Sequence, residues 1–486
     1  MPAGKAAAMT RLGMALDTVT CIGCLACTLA CKVENGSPAG IWLAPVIDKE
    51  IGHFPQVRRL SIPTLCIHCA EPPCLDACPT GAISRRDDGI VLIDPDACCG
   101  SRACVISCPY GAIHFHRRAR GPDTPFEIAK VRLHQPGTAL KCTFCVDRVD
   151  RGLEPACVVA CPTGARIFGD LEDLDSPLSR VLKDRPSTPI GAPFETSPSV
   201  SYLSDGAHRA GATEADIALP HRRQGQWGWV HALEWWLLGA GAGIFHAHHW
   251  LAPGGTILGL DRGPLLAFLL VAAASGVLLL ELGRPFRFPR AVINWRTSWI
   301  SRGAIADLVF LALAVLLALP LALPGAVETA AIAGAMALAT LVAAYPGLTL
   351  GAMRSVQAWR GPWPALEFLV ESFLSGVALV GFLSAWSAPV LTSLAALALL
   401  RLAMAAGRRR AVPIAAGTAM IGAGLAGGLA ILALLLPSAT ALAGSAAGLA
   451  ALIVSLAAKL VTLGAGSSPS PFGAGGELGG SVHAGD

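Results

Sequence analysis

The chain has 486 residues, 16 cysteines and a formal net charge of +4 at neutral pH. So small a charge gives no nucleic-acid signal, and the length exceeds that of one ordinary domain. Composition divides the chain: every cysteine lies between Cys21 and Cys161, and beyond them charge is sparse while Leu, Ala and Gly dominate.

Residues 1–11 contain neither an apolar signal-peptide core nor a twin-arginine motif. The cysteines are therefore expected to stay reduced in the cytoplasm, where thiols bind metals rather than pair as disulfides. They fall into four groups of near-repeated spacing. The first is Cys21-x2-Cys24-x2-Cys27-x3-Cys31, and the second is Cys66-x2-Cys69-x4-Cys74-x3-Cys78. The third holds Cys98, Cys99, Cys104 and Cys108, and the fourth is Cys142-x2-Cys145-x11-Cys157-x3-Cys161. Proline follows Cys78, Cys108 and Cys161, and glycine follows two residues later at Gly81, Gly111 and Gly164.

This spacing suits a cubane iron–sulfur cluster. Three close thiolates wrap three corners, and a fourth, thrown outward before a proline, reaches the neighbouring cluster. A zinc ribbon uses two C-x2-C pairs and has no need of the trailing Cys-Pro. The expectation is four clusters in two α+β ferredoxin-like modules.

The stretches Cys31-Lys32-Val33-Glu34-Asn35, Cys66-Ile67-His68-Cys69, Cys108-Pro109-Tyr110-Gly111 and Cys157-Val158-Val159-Ala160-Cys161-Pro162 carry a resemblance. They are similar to the four-cluster subunits of molybdopterin oxidoreductases such as dimethyl-sulfoxide, polysulfide and thiosulfate reductases. The resemblance covers most of residues 15–170. It implies one cluster on Cys21, Cys24, Cys27 and Cys161, and a second on Cys142, Cys145, Cys157 and Cys31. A third would take Cys66, Cys69, Cys74 and Cys108, and Cys98, Cys104 and Cys78 would hold most of a fourth.

The third group departs from the repeat. One register puts Ser101 where the second cysteine belongs; the other, led by Cys99, puts Asp96 in the first cysteine's place. Either way a thiolate is missing, unless adjacent Cys98 and Cys99 both bind, which is sterically awkward, and an iron corner without one is easily lost. Three [4Fe–4S] clusters and one [3Fe–4S] cluster are expected, with Cys99 free or a poor substitute ligand, as in related nitrate-reductase-type subunits. A hydroxyl-ligated four-iron cluster is the alternative.

Residues 165–226 hold no cysteine and scatter Pro, Ser, Gly and charge, as an extension and linker would. The expected division is an iron–sulfur domain over 1–195, a linker over 196–226, a membrane anchor over 227–465 and a disordered Gly/Ser/Pro-rich tail over 466–486. Eight apolar spans are read at about 228–251, 264–283, 303–323, 326–350, 364–386, 388–406, 411–436 and 438–463. Together they predict an all-α polytopic bundle in the lipid bilayer.

Arginines concentrate in alternate loops: Arg284, Arg287, Arg290, Arg296 and Arg302, then Arg354 and Arg360, then Arg408, Arg409 and Arg410. The opposite loops hold only Arg262. With His221, Arg222 and Arg223 ahead of the first span, the positive-inside rule places these loops and the N-terminal domain on the cytoplasmic side of the inner membrane.

The stretches Leu282-Gly283-Arg284-Pro285, Asn294 to Arg302 and Tyr345-Pro346-Gly347 through Trp359 resemble the anchor subunits of polysulfide- and dimethyl-sulfoxide-reductase type. That resemblance implies exchange of electrons with quinol and no haem. Histidines of this half, His231, His246, His248 and His249, all lie on the first span, whereas a bis-histidine haem needs facing helices. His246, His248 and His249 read as interfacial residues.

Ionisable residues inside spans point to function. Glu281, Asp307, Glu367, Glu371, His231 and Glu234 fall near the cytoplasmic ends of their spans. The candidate quinone site is His231, Glu234, Asp307, Arg302 and Glu281, while Arg401 and Lys459 are expected to snorkel. The function expected is electron transfer between the quinone pool and a separate molybdopterin catalytic subunit. A hydrogenase partner, or a proton-translocating module, is the alternative.

Overall fold

The computed structural model describes residues 11–51, 54–55, 57–117, 135–189, 195–203, 226–353, 355–408, 413–436, 438 and 440–465. They form two compact units, one within 1–222 and the other within 223–468. Most of the expected linker with His221, Arg222 and Arg223, the tail from 466, and Arg354, Arg409 and Arg410 lie outside the described residues.

In the first unit each cysteine group is set between two strands, with a helix opening on its later cysteines. Strand β1 (Leu12–Asp17) leads to the first group, helix α1 (Ala26–Asn35) and strand β2 (Val46–Ile51). β3 (Arg58–Pro63), α2 (Pro73–Ala77) and β4 (Ile83–Arg85) frame the second group. β5 (Val91–Ile93), α3 (Ala103–Ser107) and β6 (Ile113–His116) frame the third. The fourth has β7 (Thr138–Lys141), α4 (Val146–Val149), α5 (Ala156–Val159) and β8 (Arg166–Asp170).

The strand after each group pairs antiparallel with the strand before the next: β2 with β3, β4 with β5, β6 with β7. The last, β8, pairs with the first, β1, so the repeat closes on itself. α1 packs on α5 and α2 on α3, which joins groups one and four, and groups two and three. This is a ferredoxin-like dicluster architecture.

Helix α6 (Pro177–Asp184) and strands β9 (Ser187–Pro189) and β10 (Val200–Leu203) complete the unit, β10 running parallel to β1. That gives a sheet of order β8-β1-β10-β9. β1 is buried on both faces, hence its apolar run rather than an alternation. Ala15 packs with Leu178 of α6 and Leu203, while Met14 and Leu16 face the cysteine core.

Among its described residues the elements of the second unit are all helices apart from a small hairpin, β11 (Thr256–Ile257) with β12 (Leu260–Asp261). Its long helices are α7 (Trp229–Leu251), α8 (Arg262–Glu281), α9 (Trp299–Ala318), α10 (Gly325–Ala352), α11 (Trp363–Leu383), α12 (Ala388–Arg408), α13 (Pro413–Leu435) and α14 (Thr440–Ala465). Seven of them, α8 to α14, are long and apolar enough to cross a membrane.

The first expected span is α7, long enough but carrying Glu234 and four histidines. Its polarity is tolerable because α8, α10, α11 and α14 pack around it. Small residues permit that packing. Gly243 of α7 lies so close to Ser372 and Gly376 of α11 that no Cβ fits between the backbones.

Candidate metal centres

Asp17, at the end of β1, organises the first cysteine loop. Its carboxylate accepts the backbone N–H groups of Val19 at 2.9 Å and Thr20 at 3.3 Å, and Arg185 pairs with it at 2.6 Å. Burial would raise its pKa, but Arg185 and the two N–H donors outweigh that and hold it below the usual value. The Asp17 carbonyl accepts the Cys21 N–H at 3.2 Å. Left-handed turns at Gly23 (φ 69°) and Leu25 (φ 62°) then curl the loop. Cys21, Cys24 and Cys27 thereby line one cavity, and Cys161 and Arg166 close it.

The third group repeats this geometry. Asp94 carbonyl accepts the Cys98 N–H at 3.2 Å, and Gly100 (φ 76°) and Arg102 (φ 63°) take the left-handed turns. Leu25 and Arg102 match in ψ as well, at 5° and 2°, each capping a helix that starts Ala-Cys. Of the two registers open in the sequence, the backbone therefore matches Ser101 to Cys24 and Cys99 to Ile22. Asp96 sits elsewhere, accepting from Gln135 Nε2 at 2.7 Å. Cys78, Cys98, Cys99, Ser101 and Cys104 line the cavity of this group.

Two further sets gather between these. Cys31 faces Cys145 and Cys157, and Cys142 faces all three. Asn35 Nδ2 bridges the set, 3.5 Å from the Cys31 sulfur and 3.7 Å from that of Cys145. Cys66, Cys69, Cys74 and Cys108 form the other, each within electrostatic reach of its neighbours. The loops of groups two and four meet where the rings of His68 and Phe144 stack at 3.8 Å.

These sets fit iron–sulfur clusters. Burial first, and neighbouring thiols second, push Cys31 and Cys69 up to about 12 and Cys108 up to about 11. Ionised thiols packed this way without metal are costly; metal coordination removes the proton and supplies the opposing charge. Among the described residues, no three His, Cys, Asp or Glu side chains converge on a single ion. Cubane ligands stand further apart, because each binds a different iron. Hydroxyls of Thr80 and Thr163 lie 3.8 Å from the Cys78 and Cys161 sulfurs, and the Ala165 N–H points at Cys161 from 3.2 Å. Such contacts to sulfur tune cluster potentials.

In the second unit, Tyr345 donates its hydroxyl to Asp307 Oδ2 at 3.1 Å. Gly303, one turn before Asp307 on α9, leaves room for the tyrosine ring to lie against the helix. Glu234 is buried nearby, within reach of the charges of Asp307 and Glu281. Glu234 Oε2 and Asp307 Oδ1 have no hydrogen-bond partner among the described residues. His231 is buried on the same helix as Glu234, its ring stacked on Trp227 at 5.5 Å. Arg302 turns away: it donates to the backbone carbonyls of Trp295 at 2.9 Å and Arg296 at 2.5 Å. Tyr345 escapes the sequence reading as a site residue, because nothing local links it to Asp307, 38 positions away.

Arg401 and Lys459 do not snorkel. Both are buried, and Glu371 holds Arg401 at 2.9 Å through one carboxylate oxygen and Lys459 at 3.0 Å through the other. Glu367 pairs with Arg408 at 2.8 Å and lies 3.6 Å from Arg401. Counter-charges on α11 remove the need to reach water. At the other end of α7, His246 contacts Thr340 at 3.2 Å and His248 contacts Asp261 at 3.1 Å.

Four cysteine cages on a closed strand–loop–helix–strand repeat define the class: a ferredoxin-like, multi-cluster iron–sulfur protein. Residues 57–171 match the family model described as a 4Fe-4S dicluster domain. The chain is 38% identical over 224 residues to the arsenate respiratory reductase iron–sulfur subunit of Shewanella sp. (strain ANA-3), covering 96% of that protein and 40% of this chain. It is 39% identical to an iron–sulfur subunit named for dimethyl sulfoxide reductase in Halobacterium salinarum, over 80% of that protein and 40% of this chain. To a sulfite dehydrogenase subunit of Allochromatium vinosum it is 37% identical, over 83% of that protein and 40% of this chain. The chain belongs to this family of iron–sulfur subunits, and it adds an apolar helical bundle of its own.

Proposed function

We propose that the chain moves electrons between a membrane quinone pool and a separate molybdopterin catalytic subunit, and anchors that subunit to the inner membrane. The observation that carries this reading is the joining, in one polypeptide, of four cysteine cages and an apolar bundle holding buried carboxylate oxygens that lack a partner among the described residues. When bound, the clusters supply one-electron carriers. Cys21, Cys24, Cys27 and Cys161 would hold one [4Fe–4S] cluster, Cys31, Cys142, Cys145 and Cys157 a second, and Cys66, Cys69, Cys74 and Cys108 a third. Cys78, Cys98 and Cys104 would hold a [3Fe–4S] cluster, with Ser101 at the corner lacking a thiolate.

The first cage is the natural exit. Cys24 is exposed there, and Val19, Ile22, Leu25, Leu29, Val33 and Val159 present apolar surface to solvent around it. Apolar surface of this kind suits burial against a partner protein. The iron–sulfur domain would face the cytoplasm, with the basic loops following α8, α10 and α12 on that side.

Quinol oxidation releases two protons for two electrons. Glu234 Oε2 and Asp307 Oδ1 are buried acceptor positions without a partner among the described residues, and Tyr345 orients the Asp307 carboxylate. The test uses the intact complex in membranes under anaerobic conditions. Added quinol is expected to bleach the iron–sulfur absorbance. In a Glu234→Gln/Asp307→Asn variant the bleaching should slow by about 10²-fold or more, in line with loss of a general base. Reduction by dithionite should be unchanged. Equal quinol rates in the two proteins would overturn the site.

A further inference from the structure

Arg166 opens β8, directly after the Cys161-Pro162-Thr163-Gly164 turn, and is 2% exposed. Its register partner across the sheet is Leu16 of β1, which fixes it in the floor of the first cage, where it lines the cavity of Cys21, Cys24, Cys27 and Cys161. Among the described residues no oxygen or nitrogen accepts from Nε or either terminal nitrogen of the buried guanidinium, and the Cys27 sulfur lies within its hydrogen-bonding reach. The groups acting on it most strongly after burial are Cys157, a member of the second set, and Cys27, a member of the first. Cys21 of the first set and Cys31 of the second also feel its charge. Tyr202, which also acts on it, already donates its hydroxyl to the Pro63 carbonyl at 2.7 Å.

A buried, always-charged guanidinium with five donors and no acceptor is among the most costly arrangements in a protein interior. It is retained where an anion faces it. Neutral thiols do not provide one, whereas a cluster ligated by four thiolates is anionic and grows more so with each electron added. A fixed positive charge in a buried position acts more strongly on such a change than it would in water.

We propose that Arg166 is the shared counter-cation of the two clusters held by groups one and four, raising both potentials and lessening the repulsion between two reduced neighbours. The guanidinium keeps its proton throughout: each electron that arrives adds one negative charge to the cluster and none to the arginine. Lys141 differs, since its ammonium is already taken up by the carbonyls of Val91 and Cys142. The proposal rests on the reading that the four cysteine sets hold clusters, and its test separates the two.

The experiment is an EPR-monitored potentiometric titration of the intact complex, wild type beside Arg166→Met and Arg166→Lys, with iron counted in each. The account expects full iron in all three. At the wild-type midpoints, Arg166→Met should lower the reduced-to-oxidised ratio of two of the four clusters at least tenfold, which for a one-electron couple is about 59 mV. Arg166→Lys should stay within about threefold of wild type, and the remaining two clusters should not move. Iron present with unmoved ratios in Arg166→Met, a drop in Arg166→Lys as large, or equal shifts of all four clusters would overturn the proposal. If Arg166→Met fails to take up iron, Arg166→Lys decides: retained ratios support the role of the charge, and a tenfold fall rejects it. Iron missing from the wild type would overturn the cluster reading itself.

Discussion

Replacing Ser101 by cysteine is expected to add about one iron per chain and to remove the EPR signal of an oxidised three-iron cluster. The backbone is already shaped for the fourth thiolate. Gly100 and Arg102 adopt the same left-handed turns as Gly23 and Leu25, which place Cys24 in the first cage. Serine and cysteine differ by one atom, and Ser101 already lines the cavity into which the larger sulfur would project. Cluster type helps set potentials over a range of roughly a volt, so the fourth site should become much harder to reduce. Replacing Cys99 by Ala should leave the iron count unchanged, because that residue occupies the position of the non-ligand Ile22. An unaltered signal in Ser101→Cys would contradict the assignment of position 101 to the missing corner, and loss of iron in Cys99→Ala would show that Cys99 is a ligand.

The second large effect is expected at Glu371. This carboxylate is 2% exposed and neutralises two cations that are themselves 3% and 1% exposed, Arg401 and Lys459. Glu371→Leu leaves both buried with Glu367 alone to answer them, from 3.6 Å away on the Arg401 side. Breaking a buried ion pair by removing one partner costs about 3–5 kcal/mol. The same change should loosen α11, α12 and α14, since the pairs join these three helices. Thermal inactivation in detergent measures the loss. The double variant Glu371→Leu/Lys459→Met should recover part of it, because an apolar pair leaves fewer charges stranded. A single variant as heat-stable as wild type would contradict the structural role.

What is legible in the sequence is local. C-x2-C spacing and Cys-Pro endings declare the cages because consecutive ligands come from one tight loop. The pairing of groups one with four and two with three comes from resemblance, and the fold shows its physical basis in the packing of α1 on α5 and α2 on α3. The register of group three cannot be read from spacing, since Ser101 and Asp96 fit it equally well and only backbone conformation separates them.

The helical half is less completely legible. Apolar runs give the helices, but not their neighbours. Arg401 and Lys459 look like isolated cations in apolar runs, and their partner Glu371 lies 30 and 88 positions away. Tyr345 and Asp307 meet only because Gly303 admits the ring. The first span reads in the sequence as a membrane helix that carries Glu234 and four histidines, and the four helices that enclose α7 are what the sequence does not reveal.

The most direct test of the account is a metal analysis of the complex isolated through this chain from native membranes. The account predicts about 15 irons per chain, three four-iron clusters and one three-iron cluster, together with molybdenum in the co-purifying subunit. Zinc in place of iron would contradict the cluster reading, and nickel or no second metal would contradict the molybdopterin partner.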